Sequence, residues 1–444
     1  MEILNKLLLY PFLEKKKDIM KENKSIKFKN NIKINSNNPI YILISLFIVL
    51  NFNNIILSKE RVYGFTLLNL ESEITMTITG TGQQNILSVN YDGPMPDKIY
   101  VNNNIYNNAN GRIIIGLSQN ENNIKMVWNS PITTNNYMFT QLPNIKEMDF
   151  SKFDTSLVAD MSFMFYGCSS LTSINLKNVN TSKVTNMYAM FYGCSSLTSL
   201  NLSQFDTSSV TNMNSMFHDC SSLQYLNIDY FITSSLKSMI SIFYNCSSLT
   251  SLDISSFDTS LVTDMSFSFG QCKSLYTLNL NNFNTALVTN MDSMFCGCYS
   301  LVSLNLSIFD ISNVNNMRGM FYDCTSIIYL NLNSFSESKN KNIEMSNMFY
   351  NINNGVIICL DFDKNTKIKE SLQASSITYN NDCQNNCFLN NMKLSTKAKG
   401  CLDNCINSNK NDNFEYNNVC YTECPNNTYI SPYNDHLCLK NLKL

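Results

Sequence analysis

A cysteine returns every 26 residues through the middle of this chain, at Cys168, Cys194, Cys220, Cys246, Cys272, Cys298 and Cys324. Its surroundings return with it. Each unit carries an L-x-x-L-x-L run, such as Leu197, Leu200, Leu202 and then Leu223, Leu226, Ile228. An aromatic follows three residues later, at Phe205, Phe231, Phe257, Phe283 and Phe309, with Val179 as the exception. A second apolar run then leads to the cysteine, for example Val210, Met213, Met216, Phe217, Cys220. One such unit cannot bury its own apolar face. Stacked units can, so the period by itself predicts a solenoid.

Within the unit, the L-x-x-L-x-L run predicts a strand. The second run has offsets of 3, 3, 1 and 3, which put one apolar stripe on a helix of about ten residues. Asp206, Thr207 and Ser208 stand before it and are N-cap residue types. The expected unit is strand, turn, short capped helix, turn. The expected fold is an α/β solenoid of about seven to eight units with parallel strands about 4.8 Å apart. Leu142 and Ile352 take the cysteine's place at the two ends, and "GVIICL" reads as a closing strand.

A column of equivalent cysteines points one way. Parallel vectors disfavour disulfides, and the thiols do not converge on a metal. The column therefore reads as a structural ladder of buried thiols, with cysteine acting as a small hydrophobe. Cys296 lies off the column.

The flanks follow other rules. Residues 59–137 hold short β-rich runs such as "EITMTITG", "NILSVNY" and "NIKMVWN". They predict a small β cap over the solenoid's first edge, with a separate ligand domain as the alternative. Trp128, the only tryptophan, is expected to pack inside it. Residues 1–58 combine nine lysines with the apolar run Ile40–Leu50, which extends less cleanly to Leu57. A basic flank before a short apolar run fits a secretory signal or an uncleaved anchor better than a full span. Residues 40–57 would then give membrane attachment, and the remainder would be exported.

The tail, residues 359–444, carries Cys359, Cys383, Cys387, Cys401, Cys405, Cys420, Cys424 and Cys438. In an exported chain these are disulfide candidates, with zinc as the rival reading. The solenoid is assigned to residues 138–358.

Chemistry is sparse. The whole chain has two histidines and a net charge of -2. No nucleophile–base set, paired-carboxylate cleft or phosphate loop can be assembled from it. Neither an enzyme nor a nucleic-acid partner is expected, and no metal or cofactor is expected.

The consensus "FDTSxVTxMxxMFxxCxSLxxLxLS" resembles the repeat of BspA-like leucine-rich-repeat surface proteins, found in bacteria and several protists. "CYTECPNNTY" in the tail looks like a fragment of cysteine-rich protist surface modules. The resemblance implies a right-handed leucine-rich-repeat superhelix at a cell surface, with a role in adhesion. Residues flanking the last two apolar positions of each strand would then line a concave sheet. The candidate binding residues are Asn175, Asn201, Tyr225, Asn227, Asp253, Asn279, Asn305, Tyr329 and Asn331, with the two tyrosines as aromatic anchors. The expected partner is an extracellular protein or glycan on host, prey or neighbouring cells. The alternative is a structural coat that self-assembles through its repeats. Asn180, Asn201, Asn245, Asn305 and Asn426 begin N-x-[ST] sequons, and glycans at Asn201 or Asn305 would obstruct the face.

Overall fold

The computed structural model describes residues 71–106, 114–337 and 343–380, together with the backbone of six strands between Lys393 and Lys440. The basic flank and the apolar run at 40–57 lie outside the described residues.

Before the repeats come six strands: β1 (Ser72–Thr79), β2 (Gly82–Asn85), β3 (Lys98–Val101), β4 (Asn104–Tyr106), β5 (Ile114–Leu117) and β6 (Glu121–Trp128). The repeats contribute β7 (Ile145–Lys152), β8 (Ser173–Asn175), β9 (Ser199–Asn201), β10 (Tyr225–Asn227), β11 (Ser303–Asn305), β12 (Tyr329–Asn331) and β13 (Val356–Cys359). One sheet runs β4-β3-β6-β1-β7-β8. In it β1 pairs antiparallel with β6 and β7, while β7 pairs parallel with β8. The antiparallel cap thus satisfies the open edge of the first repeat strand, and the sheet turns parallel from there on. Trp128 is buried, donates Nε1–H to the Pro94 carbonyl at 2.8 Å, and meets Phe153 edge-on at 5.3 Å.

The repeats form a β-solenoid of about eight turns. Each strand pairs in parallel with its equivalent in the next coil, Leu200 beside Leu226 and Leu304 beside Leu330. A second line of parallel bridges runs along the other side, including Asp160 to Asn186, Asp264 to Asn290 and Asn316 to Glu344.

The expected helix in each coil does not form, and the α/β assignment is corrected to β. Between Met161 and Cys168 the backbone takes positive φ twice, at Phe163 (57°) and Gly167 (72°). Positive φ every fourth residue breaks a right-handed helix. Alternate N–H groups then point in two directions. Those of Phe163, Phe165 and Gly167 donate to Tyr188, Met190 and Tyr192 in the next coil, at 2.9, 2.9 and 2.7 Å. Those of Tyr166 and Cys168 close turns onto Phe163 and Phe165, at 3.2 and 3.1 Å. Overlapping four-residue turns bring side chains back to one side at the same offsets a helix would give. Bonding to the neighbouring coil wins because each coil presents a complementary backbone row at the same register.

The "DTS" motif makes turns too. Ser208 donates its N–H to Asp206 Oδ1 at 3.0 Å. Thr207 is fully buried, donates Oγ1–H to the Ile232 carbonyl at 3.0 Å and accepts the Ile232 N–H at 2.8 Å. Thr155, Thr233, Thr259 and Thr285 repeat both bonds with the coil that follows each. Phe139, Phe165, Phe191, Phe217, Phe243, Phe269, Phe295, Phe321 and Phe349 stack face to face through the core, each consecutive pair 5.2 to 6.0 Å apart.

Past the last coil lies the single α-helix among the described residues, α1 (Thr366–Ala374). Glu337 caps it, its carboxylate accepting the N–H groups of Lys367 and Ile368 at 3.0 and 2.8 Å. Ile368 and Leu372 turn their buried face to the core. β14 (Tyr379–Asn380) then adds to β13 in parallel.

Candidate binding face

Strand alternation decides which side chains face outward. In β9, Leu200 is buried while Ser199 and Asn201 are exposed. The asparagine or aspartate of each coil spends its side-chain oxygen locally. Asn175, Asn201, Asn227, Asp253, Asn279, Asn305 and Asn331 each accept the N–H two residues on, at 3.0 to 3.2 Å. These turns fix the side-chain oxygens, and Asn175 also bonds to the Asp149 carboxylate of the adjacent coil.

Exposure along this face is uneven. Asn175, Asn201, Asp253 and Asn279 are exposed, and Tyr225, Asn227 and Asn305 are half-buried. Tyr329 and Asn331 are 1 % and 0 % exposed, so neither stands on an open surface, and the assignment of both as surface contacts is corrected. Tyr329 packs with Val302, Ile328 and Cys359 in a second apolar cluster separate from the main core.

At the cap end the face opens into a depression of about 580 Å³. Tyr100, Asn103 and Lys125 of the cap line it together with Glu147, Asp149, Ser173 and Asn175 of the first coils. Lys125 Nζ sits 4.8 Å above the Tyr100 ring and 3.4 Å from Glu73. Burial raises the Asp149 carboxyl, but hydrogen bonds from Ser151 and Asn175 outweigh it and hold the group below its ordinary value. The depression therefore presents an aromatic ring, one cation, two carboxylates and several amide and hydroxyl groups. Reading the repeats alone missed Tyr100 and Lys125, because the cap supplies them. The polar–apolar alternation of "KIYVNNN" and "NIKMVWN" was the available signal.

The cysteine column is fully buried, and each thiol has a partner. Cys168, Cys194, Cys220, Cys246, Cys272, Cys298 and Cys324 donate to the carbonyls of Phe139, Phe165, Phe191, Phe217, Phe243, Phe269 and Phe295, at 3.1 to 3.3 Å. Burial pushes the thiols of Cys168, Cys220 and Cys272 up to about 12. Such thiols are poor nucleophiles. Cys296 is half-buried and free.

A column of rings lies on the turn side, with Tyr166, Tyr192, His218 and Tyr244 stacked at 4.7, 4.2 and 4.7 Å. Burial lowers the His218 pKa, and Asp219, 3.2 Å away, opposes the shift.

In the tail, Cys359 is a free, fully buried thiol beside the Tyr329 hydroxyl at 3.6 Å. It belongs to the end of the sheet rather than to a tail disulfide. Cys401, Cys420 and Cys438 lie in strands β16 (Gly400–Leu402), β18 (Val419–Tyr421) and β20 (Asn434–Lys440). Cys383, Cys387, Cys405 and Cys424 lie outside the described residues.

A family model described as "Mycoplasma protein of unknown function, DUF285" matches three overlapping stretches, residues 114–201, 170–253 and 237–357. Together they span more than half of the chain. No curated protein and no solved structure matches it.

Proposed function

The chain belongs to this DUF285 family, and on that premise we propose that it is an exported scaffold of the BspA-like leucine-rich-repeat kind, binding an extended protein or glycan on the outer face of its sheet. The observation that carries the reading is the cap-end depression. It brings Tyr100, Lys125, Glu147, Asp149 and Asn175 together on rigid strands. An aromatic platform ringed by hydrogen-bonding groups suits a sugar ring or a polar peptide. No sequon falls between residues 71 and 175, so glycosylation at Asn201 or Asn305 would leave this end of the face open. The buried thiols and stacked phenylalanines make a framework that holds the face without taking part in chemistry.

The test is an array of extracellular matrix proteins and surface glycans, incubated with the purified full chain. At least one should be retained, and Tyr100→Ala should weaken it by more than ~1 kcal/mol. Retention unaffected by Tyr100→Ala would move the site elsewhere. Self-association by light scattering, with nothing retained, would favour the coat.

A further inference from the structure

One coil breaks its own repeat at three outward positions. In other coils the equivalent of Ile232 is Asp154, Asn180, Asp206, Asp258, Asn284 or Asp310, and each accepts the N–H two residues on, at 2.8 to 3.1 Å. Ile232 has no such oxygen, and it is 50 % exposed. At the position of Tyr230, the amides of Asn178, Gln204 and Asn282 donate to carbonyls of the preceding coil. Tyr230 projects instead and is 71 % exposed. At the position of Lys237, the hydroxyls of Thr185, Thr211, Thr263 and Thr289 donate to the preceding coil at 3.1 to 3.4 Å. Lys237 is exposed and takes part in none of the ion pairs among the described residues.

This coil thus gives up three bonding patterns that its neighbours keep, and nothing within the described chain repays it. Breaks of a local rule without an internal gain mark functional positions. The side chains left outward are an aromatic, an isoleucine and a cation. Leu261 and Leu287, in the two coils that follow, are exposed as well. Clustered apolar exposure on an otherwise polar flank marks an interaction surface.

The charges around it identify the occupant. Asp206 and Asp258 stand one coil to either side of Ile232 and are exposed, with no ion pair among the described residues. Hydrogen bonds from Ser208 and Ser260 hold both carboxyls below their ordinary value. One flank therefore carries an apolar centre, a free cation in the same coil, and free carboxylates in the coils on either side. Such a surface complements itself.

We propose that a second copy of this chain docks on this flank, side by side and parallel, to give a closed two-fold pair. An axis along the stack sets Leu261 and Leu287 against their counterparts. It brings Lys237 of each copy to Asp206 and Asp258 of the other, beside Ile232. The pairing stands apart from any ligand of the sheet face. It also differs from a coat, because a two-fold contact uses up the surface and does not grow.

The experiment is sedimentation equilibrium of the full chain, made in bacteria so that sequons stay bare. The native protein should give the mass of two chains, against 50.7 kDa for one. Ile232→Asn restores the residue type of the repeat. It should weaken pairing at least tenfold without lowering the unfolding midpoint. Lys237→Asp, and Asp206→Lys together with Asp258→Lys, should each give single chains, and a mixture of the two proteins should pair again. A native mass of one chain, or one that keeps rising past two, would overturn the proposal. So would pairing untouched by Ile232→Asn, or a mixture that stays single.

Discussion

The thiol of Cys220 donates to the carbonyl oxygen of Phe191, 3.1 Å away in the preceding coil. The contact fills space and satisfies an acceptor at once. Cys220→Ala should therefore cost about 1–2 kcal/mol, as a small void plus a lost bond. Cys220→Asp should cost more than ~3 kcal/mol, because it buries a charge without a counter-ion. Urea unfolding of the two variants checks this, and equal losses would contradict the ladder.

The same thiols set an alkaline limit. Burial raises Cys220 and Cys272 from the ordinary value of 9.0 to about 12. Between those values the folded chain holds protons that the unfolded chain has released. Stability contributed by these groups is thus complete below pH 9 and is lost as pH rises toward 12. The melting temperature should fall steadily from pH 9 to pH 11 and recover on return to neutral pH. A flat profile over that range would contradict the burial.

Thr207→Val keeps shape and volume but strands the N–H and carbonyl of Ile232, both of which bond to the threonine hydroxyl. The expected cost is about 1–3 kcal/mol, with Thr207→Ser milder. Thermal unfolding measures both, and a neutral valine variant would remove the threonine column from the account.

The two tyrosines of the face should separate by phenotype. Tyr329 is buried, so Tyr329→Ala should destabilise the fold by about 3 kcal/mol. Tyr225 is half-buried, and its alanine variant should leave the unfolding midpoint nearly unchanged. Denaturation curves for the pair decide it.

The stacking period, the leucine strands and the inward cysteine could be read from spacing, because a solenoid repeats its environment every coil. The helix could not be excluded by spacing, since successive turns return side chains at helical offsets. One signal stood beside six of the seven column cysteines. Gly167, Gly193, Asp219, Asn245, Gly297 and Asp323 precede them, and all adopt positive φ, as does Gln271 before Cys272. Glycine, asparagine and aspartate are the residues that tolerate it. "NILSVNY" read as a strand by composition, yet Ile86 and Leu87 are buried from a turn segment after β2. Tyr329 was misread for a different reason. Alternation gives the direction of a side chain, but burial depends on what lies over it, and the repeat pattern carries no record of that.

The most direct test of the central claim is a hydrogen-exchange footprint of the full chain with the strongest ligand retained from the array. Protection confined to β1, β3, β6, β7 and β8, and lost in Tyr100→Ala, is the predicted result. Protection along Tyr166, Tyr192, His218 and Tyr244 instead, with the sheet unchanged, would contradict it.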